Sequence, residues 1–188
     1  MPNLHRFFTI ALLAFSSMTC ALRAANPIVV ISIPDQRMVL MENGLTMAQF
    51  PVSTSKFGVG DRPRSYATPL GMMEVAAKIG DNAPLGTVFK GRRPTGEILR
   101  PNAPGRDPIV TRILHLRGLD NGNAGAYGRG IYIHGTAEEW RIGQRASYGC
   151  IRMRSRDVVR LFDAVAVGTK IAVFDAPMSR VFRQFAAN

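Results

Sequence analysis

Only two cysteines, one tryptophan and three histidines occur in this 188-residue chain. If export removes Cys20, Cys150 is the only cysteine left and no structural disulfide is expected, nor is there a resolving cysteine such as a thiol oxidoreductase would want. If His5 belongs to a removed leader, His115, His134 and one thiol remain, which argues against a metal site, Glu138 and Glu139 beside His134 notwithstanding. Acidic residues are scarce too: 13 against 24 lysines and arginines, a formal net charge of +11. That excess is scattered from Arg62 to Arg160 with no basic run interleaved with aromatics, so a nucleic-acid groove is not indicated. A basic exported protein would be held by its field near an anionic wall or membrane surface. No apolar run reaches the roughly 20 residues of a spanning helix. The glycines from Gly86 to Gly96 lack a following Gly-Lys-Ser/Thr, which excludes a phosphate loop, and no cofactor is implied.

What is present begins with an export signal. His5 and Arg6 precede an apolar stretch from Phe7 to about Phe15, then Ser16, Ser17 and small residues up to Ala25. The order of charge, short apolar core and small-residue zone reads as a secretory signal over residues 1–25, with Thr19-Cys20-Ala21 fitting a small-x-small cleavage rule best. Lipidation of Cys20 is the weaker alternative, since Ser17-Met18-Thr19 lacks the apolar residue that starts a lipobox. The expectation is a protein of the periplasm or cell envelope, with no membrane span once the signal is gone. Residues 26–188 suffice for one domain with one core.

That domain reads as mainly β, a sandwich-like fold with one or two short helices. Ile28 to Ile33, Arg37 to Met41 and Leu45 to Val52 alternate as strands around Pro34-Asp35-Gln36 and Glu42-Asn43-Gly44, and Asn-Gly between apolar runs is a hairpin signal. Met72 to Ala76, Ile109 to Leu116 and Lys170 to Phe174 add further strands. Lys78 to Pro108 shows little periodicity and is expected to be a long functional or disordered loop. A helix from Arg156 to about Ala166 would be capped by Ser155, with Val158, Val159, Leu161, Phe162 and Val165 as its apolar face. Ser179 to Phe185 offers a second short helix.

The chemistry concentrates in Ile131 to Met153. His134 ends an alternating run with Ile131 and Ile133, and Cys150 follows Gly149 just before the helix start. A thiol becomes a strong nucleophile when an adjacent base or positive environment makes thiolate, and histidine is the usual base. His115, alternating with Leu114 and Leu116, reads as structural. Trp140 reads as a loop anchor and Ser147 as a hydrogen-bonding residue of the turn.

The opening hairpins with Pro51-Val52-Ser53, the Thr68-Pro69-Leu70-Gly71 turn, His134-Gly135-Thr136 and Ser147-x-Gly149-Cys150-Ile151-Arg152-Met153 with Asp157 resemble the L,D-transpeptidase catalytic domain family (YkuD type) over nearly all of residues 26–188. Tyr148 stands where many members carry a second histidine. The resemblance implies that Cys150 attacks the carbonyl between the third and fourth residues of a peptidoglycan stem peptide. D-alanine is expelled, a thioester forms, and an amine resolves it. His134 would move the proton, the Gly135 carbonyl would orient its ring, and backbone N–H groups of Gly149 and Tyr148 would face the oxyanion. Arg152 would support the thiolate or hold a substrate carboxylate, with Ser147 beside the substrate; Arg152 bracing the turn is the alternative. Partners would be stem peptides or an amine on a wall-anchored protein. Two other readings remain: a hydrolase on the same scaffold, whether L,D-carboxypeptidase or one releasing wall-linked protein, and an inactive wall-binding module.

Overall fold

The computed structural model describes residues 27–186; the segment read as an export signal, Cys20 included, lies outside the described residues. The chain opens as a meander of β1 (Ile28–Ser32), β2 (Arg37–Glu42) and β3 (Leu45–Pro51). Asn43 and Gly44 both take positive φ (51° and 78°) at the β2–β3 turn, the geometry that matches the twist of a tight hairpin. β1 then pairs in parallel with the late strand β10 (Lys170–Phe174), and β10 pairs with β4 (Gly71–Ile79). Beyond β4 comes the long β7 (Ile109–Gly118), then β8 (Tyr132–Thr136), then β9 (Ile151–Met153) in parallel with β8.

A hydrogen-bonded bridge between Ser53, just past β3, and Arg152 of β9 brings the far edge back to the first. The sandwich-like body is therefore one mixed sheet curled over a single core. That core joins Ile31, Phe50, Met73, Leu114, Ile133 and Ile151 from strands around the circuit. Helix α1 (Ser155–Ala164) contributes Val158, Leu161 and Phe162 to it. Lys78 Nζ donates to the carbonyls of Phe162 (2.6 Å) and Val165 (2.7 Å), satisfying the end of α1 with a cation where the helix dipole is negative.

β1 explains its own uninterrupted apolar sequence. Val29 and Ile31 face the main core, while Val30 faces a second cluster made with Val39 and Met41 of β2 and Met178 and Val181 of helix α2 (Met178–Ala186). A strand covered on both faces needs no polar alternation. Among the described residues no helix is long and apolar enough to cross a membrane.

Three expectations are corrected. The stretch from Lys78 to Pro108 is ordered: it holds the end of β4 and a hairpin of β5 (Thr87–Lys90) and β6 (Arg93–Ile98), which extends along β7. Its strands were masked because β6, Arg-Pro-Thr-Gly-Glu-Ile, is almost wholly exposed and lacks an apolar face. Ser155 is the first residue of α1 and not its cap; Arg154 stands at the cap with extended backbone, and the Ser155 N–H is satisfied by Glu139 Oε1 at 2.8 Å. Cys150 precedes a short strand, β9, and the helix starts only after it.

Leu161 is fully buried where α1 meets the sheet. Leu161→Ala removes that contact and leaves a cavity, so denaturant unfolding should show a loss of about 2–5 kcal/mol; a loss under about 1 kcal/mol would mean that α1 is not part of the cooperative core.

Candidate active site

β8 and β9 run in parallel with Ile133 opposite Ile151, His134 opposite Arg152 and Gly135 opposite Met153. Ile133, Ile151 and Met153 enter the core, so His134 and Arg152 project from the opposite face. Continuing the alternation by one step puts Cys150 opposite Tyr132, on the same face as His134 and diagonal to it. His134 therefore sits within β8 and does not end it.

The imidazole is fixed. Its Nδ1 lies 2.8 Å from the Gly135 carbonyl oxygen. A carbonyl can only accept, so Nδ1 carries the proton and Nε2 keeps the lone pair. Gly135 has a steric reason to be glycine: a Cβ there would stand 2.6 Å from the Val110 carbonyl oxygen and 3.1 Å from Thr111 Cβ. That close approach comes from a register shift in β7 between Val110 and Ile113. At the shift Thr111 is fully buried with φ of 72°, a left-handed backbone that a β-branched residue rarely takes. Its hydroxyl holds it there, accepting from the Gly86 N–H (3.0 Å) and donating to Ser155 Oγ (2.8 Å). Strain of this kind persists only where the surroundings over-determine it, and it clusters at active sites.

Cys150 keeps part of its surface in solvent. Burial nevertheless pushes its pKa up to about 11, against the Tyr132 backbone hydrogen bond and the charges of Arg129 and Arg152, which favour thiolate. Its Sγ–H donates to the Gly130 carbonyl at 3.4 Å. Burial also drives the His134 pKa below its ordinary value, outweighing the Gly135 hydrogen bond and the nearby Asp107 carboxylate, which raise it. Both groups are accordingly neutral at pH 7. The arrangement is a thiol and a base awaiting substrate, not a standing ion pair.

The turn before Cys150 is tied by Ser147. Its hydroxyl donates to the Cys150 carbonyl (2.6 Å) and accepts from the Gly149 N–H (3.2 Å). Thr68 Oγ1 donates to the Gly149 carbonyl at 3.1 Å, linking the Thr-Pro-Leu-Gly turn to the turn before Cys150. Gly149 has φ of 115°, and an added Cβ would press on the Ala67 carbonyl at 3.2 Å. The Tyr148 side chain is exposed and forms, with Phe57 and Tyr66, an aromatic group whose ring centroids lie 5.4–5.9 Å apart. Tyr66 and Tyr148 line a cleft of about 350 Å³ that opens on Cys150.

Arg152 lies buried beneath this surface. Its guanidinium pairs with Asp107, approaches Glu138 at 3.4 Å and donates to Ser53 Oγ at 3.3 Å. Asp107 also accepts from Thr136 Oγ1, at the end of β8. Sequence reasoning missed Asp107, which falls in the aperiodic stretch before β7 and carries no motif, and it missed Thr111 and Arg129. Arg129 pairs with Asp61 (2.7 Å) and donates to the Ala67 carbonyl (2.7 Å), locking the loop that walls the cleft. His115 is buried, its ring stacked 4.0 Å from Tyr127 and edge-on to Tyr132 at 4.7 Å, with Nε2 3.0 Å from the Tyr127 carbonyl. Trp140 anchors nothing: it is exposed, with the Arg141 guanidinium 4.4 Å over its ring. Among the described residues no group of three His, Cys, Asp or Glu side chains is placed to hold a metal ion.

Asp107→Asn leaves a buried arginine with only the more distant Glu138 for compensation. Denaturant unfolding should show a loss of roughly 3 kcal/mol, the low end for breaking a buried pair; an unchanged midpoint would show that Glu138 alone neutralises Arg152.

Comparison with known proteins places the chain in a family. Two probable L,D-transpeptidases named ErfK/SrfK, from Salmonella typhimurium and Escherichia coli, are each 49% identical over 51 residues, 27% of this chain and 16% of theirs. A putative L,D-transpeptidase, YqjB of Bacillus subtilis, is 45% identical over 51 residues, 27% of this chain and 29% of its own length. The matches thus span only a small part of these curated relatives. Among solved structures, an L,D-transpeptidase of Xylanimonas cellulosilytica superposes with a TM-score of 0.52 at 18% identity, covering 80% of this chain and 61% of its own. One from Mycobacterium tuberculosis gives 0.51 at 19%, covering 80% and 58%. These likenesses speak to the fold. The profile of the L,D-transpeptidase catalytic domain, YkuD, matches residues 26–173, and the chain belongs to that family.

Proposed function

We propose that the protein is an exported peptidoglycan L,D-transpeptidase that works through a thioester on Cys150. The observation that carries the reading is the shared face of β8 and β9, where a tautomer-fixed His134 stands diagonal to a thiol opening on a cleft. As the donor peptide enters, His134 Nε2 takes the Cys150 proton and the sulfur attacks the carbonyl between the third and fourth stem residues. The tetrahedral oxyanion is met by backbone N–H groups of the Tyr148-Gly149-Cys150 turn, Tyr148 and Gly149 foremost. The Gly149 N–H exchanges its long 3.2 Å bond to Ser147 for the oxyanion. One such donor is typically worth about 10²–10³ in rate. The imidazolium returns its proton to the leaving amine, D-alanine departs, and a thioester remains. An amine from a second stem peptide, or from a wall-linked protein, then attacks with His134 again as base. Covalent catalysis thus lets donor and acceptor occupy the site in turn.

Arg152 acts here through charge, favouring thiolate from below, and through Asp107, which braces the β8 end beside His134. Ser147 holds the turn against the substrate side. Export rests on the N-terminal pattern, and the net positive charge would retain the protein at an anionic wall. No cofactor takes part in this scheme.

The test is mass spectrometry of the products formed from a purified disaccharide-tetrapeptide. A cross-linked dimer that has lost one alanine is expected, and Cys150→Ala should lower its rate by at least about 10³-fold while keeping the fold. Tripeptide alone would replace the transpeptidase with an L,D-carboxypeptidase. Absence of any Cys150-dependent product would leave a wall-binding module.

A further inference from the structure

Two cations line the cleft beside Cys150, and they differ in their commitments. Arg129 is held on all sides: its guanidinium serves Asp61 and the carbonyls of Gly60 and Ala67. Arg64 is exposed and, among the described residues, its guanidinium has no ion-pair or hydrogen-bond partner. No Asp or Glu lines the cleft. Lys56 donates to Tyr148 Oη at 3.1 Å and sits 4.5 Å above that ring. Arg152, the other arginine near the nucleophile, is buried against Asp107 and Glu138.

Arg64 is presented on an unusual backbone. Arg64 and Tyr66 both take left-handed φ (60° and 55°), costly for residues with side chains. The loop is pinned in that shape from outside: the Arg129 guanidinium holds the Ala67 carbonyl, and Ser55 Oγ donates to the Tyr66 carbonyl. The strained turn sends the Arg64 side chain, with Tyr66, into the wall of the cleft that Cys150 opens on.

We propose that Arg64 is the residue that binds the free C-terminal carboxylate of the acyl donor, and so selects peptides ending one residue beyond the scissile bond. This rests on the acyl-transfer reading above and names a specificity determinant within it. The chemistry follows from connectivity: the carboxylate of a single departing residue lies one residue length, about 3.5 Å, from the attacked carbonyl. A planar guanidinium grips a carboxylate with two parallel N–H···O bonds. A donor one residue longer puts its carboxylate beyond that grip and a neutral amide against an uncompensated cation. Tyr66 and Tyr148 flank the pair at the cleft wall.

The test compares two tetrapeptide donors, one with a free C-terminal acid and one with a C-terminal amide, in the wild type, Arg64→Gly and Arg64→Glu. Glycine keeps the left-handed backbone without strain, so a fall in activity cannot be assigned to a refolded loop. The wild type should prefer the acid by about tenfold or more in kcat/KM. Arg64→Gly should bring the acid-to-amide ratio close to one, and Arg64→Glu should invert it. A ratio unchanged in Arg64→Gly would overturn the assignment, as would a preference that follows amidation of the third residue's side chain instead of the C-terminus. No turnover of either donor by the wild type would defeat the acyl-transfer reading and this inference with it. Turnover with the acid preference intact in Arg64→Gly would defeat the inference alone.

Discussion

The short parallel ladder between β8 and β9 is the constraint on which the site depends. It spans only three residue pairs, yet it fixes which face each side chain takes and sets His134 and Cys150 together. Parallel neighbours need a crossover, and here the connection from Ala137 to Cys150 supplies it while carrying Glu138, Glu139 and Ser147. Glu139 satisfies the first N–H of α1, Glu138 reaches Arg152, and Ser147 ties the turn before Cys150. These three residues thus hold a helix start, the buried arginine and the turn before Cys150. A one-residue slip of β9 would send Ile151 and Met153 out of the core and Cys150 into it.

The same ladder creates a charge problem that the fold answers locally. Arg152 shares the His134 face and is almost fully enclosed, so a carboxylate must meet it. Asp107, arriving at the start of β7, does so and also takes the Thr136 hydroxyl. His134 stands between these opposed charges, and its remaining balance is set by burial. Desolvation disfavours both imidazolium and thiolate, which is why the resting pair is neutral despite two arginines nearby. A thiol that rests protonated is also less open to oxidation than a thiolate.

The strands and the site were legible to different depths. β1, β2 and β10 carried alternation or continuous apolar runs because their side chains enter one or two packed faces, and Asn43-Gly44 marked the turn by the backbone angles it permits. His134, Gly149 and Cys150 stood out because a thiol, an imidazole and a glycine turn fall in a short span, and the β8–β9 pairing puts the first two on one face. β5 and β6 were not, since an exposed hairpin buries little on either face. Asp107 was invisible for another reason: its importance lies in a contact across 45 positions with Arg152, which no local pattern records. Thr111 is the clearest case of tertiary override. Its residue type favours regular strand, yet it takes a left-handed backbone at the register shift that brings Val110 close to Gly135.

The central physical claim is a neutral thiol–imidazole pair in the free protein, and the pH dependence of Cys150 alkylation tests it most directly. Iodoacetamide reacts with thiolate, so the rate of labelling of the Cys150 peptide, followed by mass spectrometry, traces the titration of this one sulfur. The account predicts a rate that climbs steadily through neutral pH toward a midpoint near 11. A plateau already reached at neutral pH, with a midpoint below the ordinary imidazole value of 6.5, would show a preformed thiolate–imidazolium pair and contradict it.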